Sequence, residues 1–274
     1  MDTGAGADDD ALPGVASSRS TAPARPVGPA ASARTAVVWE VLSAVLAEAD
    51  PAGRGLDVVD AGGGTGGFAV PLAEAGHRVT VVDPSPDSLA ALQRRAAERG
   101  LTDRVVAVQG DLDDLARLVP DGSVDLLLCH SVLEVVDDPA QALAAAGAAL
   151  RPGGRLSLLV AGRNGAVLAR AVAGHPDEAA HVLTDPAGRW GDADGTARRF
   201  SVDDLVPLLR DAGLGVEQVH GVRVVADLVP SAVLDTEPGA AAALLALERA
   251  LSTRPPFRDL ATQLHVLAGR PTPG

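Results

Sequence analysis

A glycine-rich segment between two apolar runs constrains this chain more than any other part of its sequence. Residues 56–60 are rich in Val and Leu and end in Asp60, and five of the six residues from 62 to 67 are glycine. The apolar segment that follows, 68–73, is predicted to begin a helix. Strand, glycine loop and helix N-terminus together form a pocket for an extended, nucleotide-like ligand. Glycine is required there because a Cβ would block both the positive-φ turn and the approach of the ligand.

The spacing of the glycines fits two classes of ligand. Gly62, Gly64 and Gly67 match G-x-G-x-x-G, the fingerprint of dinucleotide-binding proteins. Preceded by Asp60, the glycines at 62, 64 and 66 equally match D-x-G-x-G-x-G, the S-adenosylmethionine (SAM) loop of class I methyltransferases. A carboxylate beside a pyrophosphate would place two anions in one pocket. Asp60 therefore favours a ligand that carries ammonium and sulfonium groups and no phosphate.

Apolar runs alternate with helical patterns along most of the chain. This alternation predicts an α/β fold with a doubly wound, mainly parallel, seven-stranded Rossmann-like sheet. Helices are predicted at 34–50, 86–99, 139–150, 201–212 and 239–251. The predicted strands are 56–60, 78–83, 104–109, 124–130, 155–160, 214–225 and 261–267.

The remaining segments define the domain organisation. Residues 1–32 consist mainly of Ala, Gly, Pro, Ser and Asp, with almost no large apolar side chain, and we predict a disordered tail. Residues 33–270 are predicted to form a single domain. Its pattern loosens at about 163–199, which we interpret as an insertion or lid after the fifth strand.

Composition narrows the partners and the compartment. The formal net charge of −13 argues against non-specific attraction to DNA or to anionic membranes. Cys129 is the only cysteine, so we expect neither a disulfide nor a metal site. No apolar run approaches the roughly 20 residues that span a bilayer, and the acidic N-terminus lacks the apolar core of a secretory signal. These features predict a soluble, cytoplasmic protein.

Candidate ligand-binding residues follow the ends of the predicted strands. The carboxyl ends of parallel strands meet at one edge of such a sheet, where ligands bind. Asp83 can accept hydrogen bonds from vicinal ribose hydroxyls, Asp111 can accept one from an adenine amino group, and Leu112 can line the adenine ring. His130 would lie beside the methionine part of the ligand or beside the methyl acceptor. Alternatively, the two acids serve as helix N-caps and His130 is a core histidine.

Taken in order, five motifs resemble those of class I SAM-dependent methyltransferases, over roughly residues 34–160. The resemblance implies SAM as the cofactor, bound in part by Gly62, Gly63 and Gly64, and methyl transfer as the activity. The motifs are 59–66 (Val-Asp-Ala-Gly-Gly-Gly-Thr-Gly), 82–83 (Val-Asp), 110–111 (Gly-Asp), 125–130 (Asp-Leu-Leu-Leu-Cys-His) and 150–154 (Leu-Arg-Pro-Gly-Gly).

Further segments resemble the bacterial family that methyl-esterifies 5-carboxymethoxyuridine at the tRNA wobble position. The resemblance implies a tRNA acceptor, an Arg34 that reaches the SAM carboxylate, and SAM contacts at Gly62, Gly63, Asp83, 111–113 and His130. Two motifs differ: the lysine-rich tract of that family is here 191–199, with only two arginines, and its R-V-x-H-D-Y motif reads Arg-Val-Val-Ala-Asp-Leu. The similar segments are 130–139, 161–165, 172–174, 203–213 and 221–224.

The chemistry of the acceptor decides which catalytic residues are needed. Methyl transfer from a sulfonium is an in-line displacement, so catalysis consists largely of positioning. A carboxylate acceptor needs a cation to hold it, and Arg223 is the candidate, assisted by Arg198 or Arg199. A hydroxyl acceptor needs a general base, and His130 is the candidate.

Four hypotheses follow from the sequence. The first is SAM-dependent methylation of an oxygen in tRNA, at the wobble carboxymethoxy group, and the second is methylation of a small-molecule carboxylate or hydroxyl. The third is a Rossmann oxidoreductase that binds NAD, although the chain has no tyrosine and so lacks a catalytic Tyr-Lys pair. The fourth is a non-catalytic SAM sensor.

Overall fold

A single seven-stranded sheet organises the computed structural model, which describes residues 1 and 35–272. Arg34, and all of the predicted tail 1–32 except residue 1, therefore lie outside the described residues. The strand order is β3-β2-β1-β4-β5-β7-β6. Among these seven strands, β7 runs in the opposite direction to the other six, so it is antiparallel to both of its neighbours, β5 and β6. The prediction of a mainly parallel seven-stranded sheet is confirmed. The strands are β1 (Asp57–Ala61), β2 (Arg78–Asp83), β3 (Val105–Gln109), β4 (Val124–His130), β5 (Leu150–Ala161), β6 (Gly215–Val222) and β7 (Gln263–Gly269).

Helices connect the strands, and local sequence fixes where several of them begin. Ser85 accepts a hydrogen bond from the Ser88 N–H at the start of α3, and Asp138 caps α5. Ser201 and Asp204 form a reciprocal capping box at the start of α8. The helices are α1 (Ala36–Ala49), α2 (Ala69–Glu74), α3 (Pro86–Glu98), α4 (Leu115–Leu118), α5 (Pro139–Ala149), α6 (Arg163–Val172), α7 (Pro176–Thr184), α8 (Val202–Asp211), α9 (Ser231–Thr236) and α10 (Ala240–Ser252), with a 3-10 helix at Arg258–Leu260.

The central strands of the sheet are buried on both faces, as expected for parallel strands connected by helices. Alternate residues of β4 belong to different cores: Leu126 and Leu128 pack with α1, α2 and α3, whereas Leu127 and Cys129 pack with α4, α5 and α8. Helix α10 contacts α1 and β6. The face of the sheet that carries Leu126 and Leu128 is therefore covered by α1 and, near β6, by α10.

The predicted insertion after β5 consists of α6, α7 and the turn-rich segment 185–200. Asp194 organises this segment, because its carboxylate accepts hydrogen bonds from the backbone N–H groups of Trp190 and Thr196, both at 2.9 Å, and pairs with Arg199. Burial acts to raise the pKa of Asp194, but the hydrogen bonds from Arg199 and the two N–H groups outweigh it and lower that pKa to about 2. The Phe200 N–H then donates to the Ala161 carbonyl and returns the chain to the sheet edge.

Candidate active site

The glycine loop joins β1 to α2 at the carboxyl edge of the sheet. Gly62, Gly64 and Gly66 have φ values of 72°, 54° and 84°. A Cβ on Gly62 would lie 2.2 Å from a methyl of Val132, and one on Gly66 would lie 2.4 Å from a methyl of Leu92. Backbone conformation therefore favours glycine at all three positions, and close packing adds to this requirement at Gly62 and Gly66.

Asp60 lies beneath this loop. Its side chain is 2% exposed, and its Oδ2 has no hydrogen-bond partner among the described residues. A Cβ on Gly63 would lie 2.5 Å from that Oδ2. Burial, and then the negative charge of Asp83, raise the pKa of Asp60 to about 7, against a hydrogen bond from the Ala69 N–H. A cation bound at the loop would favour the ionised form of Asp60.

Asp83 ends β2 and ties the loop to the next helix. Its Oδ2 accepts from the Gly64 N–H and its Oδ1 accepts from the Ser85 N–H, both at 2.9 Å. Each carboxylate oxygen has a second lone pair, so Asp83 retains the capacity to accept two further hydrogen bonds. This is the capacity that a pair of ribose hydroxyls requires.

A cavity of about 420 Å³ opens beside the loop. Four of the residues predicted to bind the donor, Gly62, Asp83, Asp111 and Leu112, line its wall. Carboxylates dominate the polar part of the lining, which makes the cavity a poor site for phosphate. The lining consists of Gly62, Asp83, Pro84, Asp111, Leu112, Asp113, Ser131, Val132, Val135, Val136 and Asp137.

His130 ends β4 and has polar contact on one side only. Its Nε2 lies 2.9 Å from the Ser157 Oγ, whereas its Nδ1 is buried without a partner among the described residues. The Phe68 ring, which stacks on Trp39, meets the imidazole edge-on at 4.6 Å between centroids. Burial lowers the pKa of His130 to about 3, so the ring is neutral at physiological pH.

Arg223 follows β6 directly, although the sequence predicted it within a strand reaching 225. Its backbone is left-handed, with φ of 60°, and its Nη2 pairs with Asp227 at 2.6 Å. Arg223 lines a separate cavity of about 200 Å³ against α6, and not the cavity beside the glycine loop. The structure thus brings Arg223 to the same sheet edge as His130 but does not place the two in one cavity.

Two other predicted cations are engaged in holding the insertion. The Arg198 Nη1 donates to the Val136 carbonyl at 3.0 Å and so attaches the insertion to the cavity wall. Arg199 pairs with Asp194. Arg198 therefore contacts the cavity wall, whereas Arg199 stabilises the insertion itself.

Sequence reasoning missed Glu248, which is fully buried in α10. Its carboxylate accepts hydrogen bonds from the backbone N–H groups of Val224, Val225 and Ala226, at 2.7–3.0 Å. These contacts fix the backbone that presents Arg223. A lone Glu inside an Ala/Leu helix was the available signal, but nothing in the sequence indicates what it would hold.

Comparison with known proteins agrees with this geometry. Residues 59–158 match the family model described as "Methyltransferase domain". The tRNA 5-carboxymethoxyuridine methyltransferase of Escherichia coli is 32% identical over 238 residues, which is 87% of this chain and 88% of that protein. A ubiquinone biosynthesis O-methyltransferase of Xanthomonas euvesicatoria is 32% identical over 168 residues, which is 61% of this chain and 66% of that protein.

Solved structures of methyltransferases share the fold. An S-adenosylmethionine-dependent methyltransferase from Mesorhizobium loti superposes with a TM-score of 0.55 at 23% identity, covering 87% of this chain and all of that one. The magnesium protoporphyrin IX methyltransferase of Synechocystis, solved with bound S-adenosylhomocysteine (SAH), gives 0.54 at 20% identity, covering 84% and 82%.

The residues present fit an S-adenosylmethionine cofactor. Gly62 and Asp83 line the cavity beside the loop, Asp60 holds an unpaired buried oxygen, and Asp83 retains two free lone pairs. The dinucleotide alternative lacks this support, since the family match and the similarity across most of the chain are both to methyltransferases. The chain therefore belongs to the class I S-adenosylmethionine-dependent methyltransferases and is an enzyme that uses S-adenosylmethionine as its cofactor.

Proposed function

We propose that this enzyme methylates an oxygen of its acceptor, and that the acceptor is the carboxylate of 5-carboxymethoxyuridine at the wobble position of tRNA. The observation that carries the proposal is the extent of the similarity to the E. coli enzyme. A match over 87% of the chain extends beyond residues 59–158. It includes the insertion and β6, which lie outside the strands and loops that form the donor site. The tRNA acceptor would place the enzyme in the cytoplasm. Within the described residues, no helix is both long and apolar enough to cross a membrane.

The donor site that supports this proposal is built from the loop and the neighbouring strand ends. When bound, SAM supplies a methyl group activated by the sulfonium. In our proposal Gly62, Gly63 and Gly64 approach the donor through their backbone, Asp83 binds its ribose hydroxyls, and Asp111 and Leu112 bind its adenine. Asp60 and Arg34 serve the amino and carboxylate ends of its methionine part. Keeping Asp60 away from the sulfur matters, because the sulfonium charge disappears in the transition state.

A carboxylate acceptor is already nucleophilic, so the acceptor side must hold and orient it. We assign this role to Arg223, whose guanidinium keeps N–H donors beyond the one paired with Asp227. A carboxylate that binds there competes with Asp227 for the cation. Arg198, in the insertion, adds a second positive charge beside Val136 in the wall of the larger cavity.

Transfer of a labelled methyl group tests the proposal. We expect label in tRNA that carries 5-carboxymethoxyuridine, as an ester that mild alkali releases, and none in tRNA that lacks the modification. Arg223→Ala should lower turnover on this tRNA while SAM affinity is retained, because the side chain lies outside the donor cavity. Arg249→Ala, an exposed arginine paired with Glu40, is the matched control. Label that enters a small-metabolite extract but not tRNA would refute the tRNA acceptor.

A second candidate is methylation of a small-molecule carboxylate or hydroxyl. The observation that favours it is the charge at the cavity, where Asp83, Asp111, Asp113 and Asp137 would repel a polyanion. The ubiquinone relative acts in a biosynthetic pathway, as its name states. Transfer of label to the metabolite extract supports this candidate, and tight SAM binding without transfer to either material supports a sensor.

A further inference from the structure

A row of polar side chains crosses four strands on the face of the sheet covered by α1 and α10. The Ser157 Oγ on β5 lies 2.9 Å from the His130 Nε2 on β4 and 2.8 Å from the His265 Nε2 on β7. The His265 Nδ1 lies 3.5 Å from the His220 Nδ1 on β6. Ser157 and His265 are fully buried, and His220 is 7% exposed. Polar groups in an apolar layer are costly unless they are paired, and the members of this row pair with one another.

The row cannot arrange its protons freely. A hydroxyl donates one hydrogen bond, so Ser157 can donate to only one of the two imidazole nitrogens beside it and must accept from the other. A neutral imidazole likewise has one N–H and one lone pair. Burial is the main cause that lowers the pKa of His265, and the neighbouring His130 and His220 rings disfavour its protonation further, so this ring stays neutral. The proton on Nε2 of His265 is therefore coupled through Ser157 to the proton on His130.

One end of the row lacks a hydrogen-bond partner. The His130 Nδ1 is buried and has no partner among the described residues, and the next two residues, Ser131 and Val132, line the cavity beside the glycine loop. An imidazole N–H or lone pair that stays unpaired in a buried position loses the free energy of a hydrogen bond. A bound ligand is the group that can supply the missing partner.

We infer that Ser157 and His265 position His130 as a neutral hydrogen-bond donor, through its Nδ1–H, to a carboxylate of a bound ligand. A carboxylate only accepts hydrogen bonds, so it pairs with the Nδ1–H tautomer alone. That tautomer requires Ser157 to donate to the His130 Nε2 and His265 to donate to Ser157. Ser157 and His265 are positioning residues, since neither reaches the ligand.

Two carboxylates fit this role, and the acceptor arm of the inference rests on the proposed function. One is the carboxylate of the donor's methionine part, and the other is that of the acceptor. The donor arm depends only on SAM binding. Failure of tRNA methylation would therefore leave the donor arm testable.

The charged and titratable groups around the row are few. Arg258 and Asp259 of the 3-10 helix form an ion pair near His220. Glu248 of α10 accepts hydrogen bonds from the backbone at 224–226. The ring that packs against His130 is that of Phe68, the uncharged residue directly before α2. These groups leave the neutral row intact at the pH of the experiments below.

Nitrogen NMR of protein labelled at histidine tests the tautomer directly. With SAH bound at pH 7, we expect the His130 signals, assigned by their loss in His130→Gln, to show a protonated Nδ1. Ser157→Ala should abolish this preference, and Ser157→Thr, which keeps the hydroxyl, should restore it. Leu159→Val, a change to an apolar side chain on the same strand and face, controls for packing. A protonated Nδ1 that appears only after the acceptor tRNA is added would assign the carboxylate to the acceptor, whereas a protonated Nε2 with both SAH and that tRNA bound would overturn the inference.

Binding then identifies the carboxylate. If it belongs to the donor, Ser157→Ala should weaken SAH about threefold to tenfold, and should not change affinity for methylthioadenosine, which lacks the methionine carboxylate. If it belongs to the acceptor, SAH affinity should hold while the KM for tRNA rises by a similar factor at constant kcat. His265→Gln provides a second variant if Ser157→Ala fails to fold, as judged by thermal unfolding. Unchanged SAH affinity together with an unchanged KM would refute the positioning role.

Discussion

Asp60 and Asp83 lie on adjacent strands, yet they contribute to the site in different ways. Each carboxylate oxygen of Asp83 accepts a hydrogen bond from a backbone N–H, one from Gly64 in the loop and one from Ser85 in the following turn. Asp83 therefore organises the pocket that it also lines. Asp60 does not line that pocket. It places an unpaired oxygen directly under Gly63, where its ionisation responds to charge above the loop.

Replacing Asp83 by Ala should weaken SAM binding by about 1–3 kcal/mol, since the ribose hydroxyls would be buried without their acceptor. Calorimetric titration measures this loss. Asp87→Ala, an exposed acid in the first turn of α3, is the control and should bind SAM normally. Affinity unchanged by Asp83→Ala would remove Asp83 from the ribose role.

The raised pKa of Asp60 should make the ligand-free protein less stable as pH rises. Its pKa is about 7 in the folded state against an ordinary value of 3.8, so between these values the folded state binds the extra proton. The free energy of unfolding should therefore fall as pH rises from about 4 to about 7, by up to about 1.4 kcal/mol per pH unit. Asp60→Asn should remove this slope.

Urea unfolding at several pH values measures the slope. The exposed variant Asp87→Asn serves as the matched control and should retain the wild-type slope. Parallel pH profiles for wild type and Asp60→Asn would show that Asp60 does not carry the proton.

At the scale of elements, α10 acts on the site through one buried side chain. Glu248 reaches three consecutive N–H groups in the segment after β6, and the same segment carries the left-handed Arg223. The helix thereby fixes a backbone that no strand pairing supports. The insertion acts in a similar way through Arg198, which bonds to the wall of the larger cavity.

Glu248→Gln should cost about 1–3 kcal/mol of stability, because an amide NH₂ would face backbone donors that now bind a carboxylate oxygen. Denaturant unfolding measures the cost, and the exposed Glu237→Gln is the control. We also expect a raised KM for the acceptor at constant SAM affinity. Equal losses of donor and acceptor binding would show that the effect spreads beyond this segment.

At the scale of the whole molecule, the net charge of the protein opposes the binding of a tRNA acceptor. With a formal net charge of −13 the protein repels a polyanion at long range, and salt screens this repulsion. Raising salt from about 10 mM to about 100 mM should therefore lower the KM for tRNA. Affinity for SAH, which carries no net charge at neutral pH, should change far less. A KM that rises with salt would show that local arginines dominate the encounter.

Much of the fold could be predicted from the sequence, because local patterns encode it. Apolar strands that end in Asp60, Asp83 and His130 predicted the sheet edge where the cavity lies, and Ser201 marked the start of α8. The pairing of β5 with β7 could not be predicted, since it joins residues as distant in sequence as Arg155 and Gly269.

The parts that sequence analysis missed are those that depend on tertiary packing. Helices α6 and α7 span only ten and nine residues, and sequence analysis included them in an irregular insertion although α6 has one apolar and one polar face. Ser157, His220 and His265 look like ordinary strand residues until β7 enters between β5 and β6 and brings them together.

The position of β7 separates the two parts of the site. The strands that surround the donor pocket are parallel neighbours, whereas β6 joins the sheet through β7 alone among the described strands. Because β5 and β7 lie between β6 and those strands, substitutions in the cavity around Arg223 should alter acceptor selectivity with little effect on the donor.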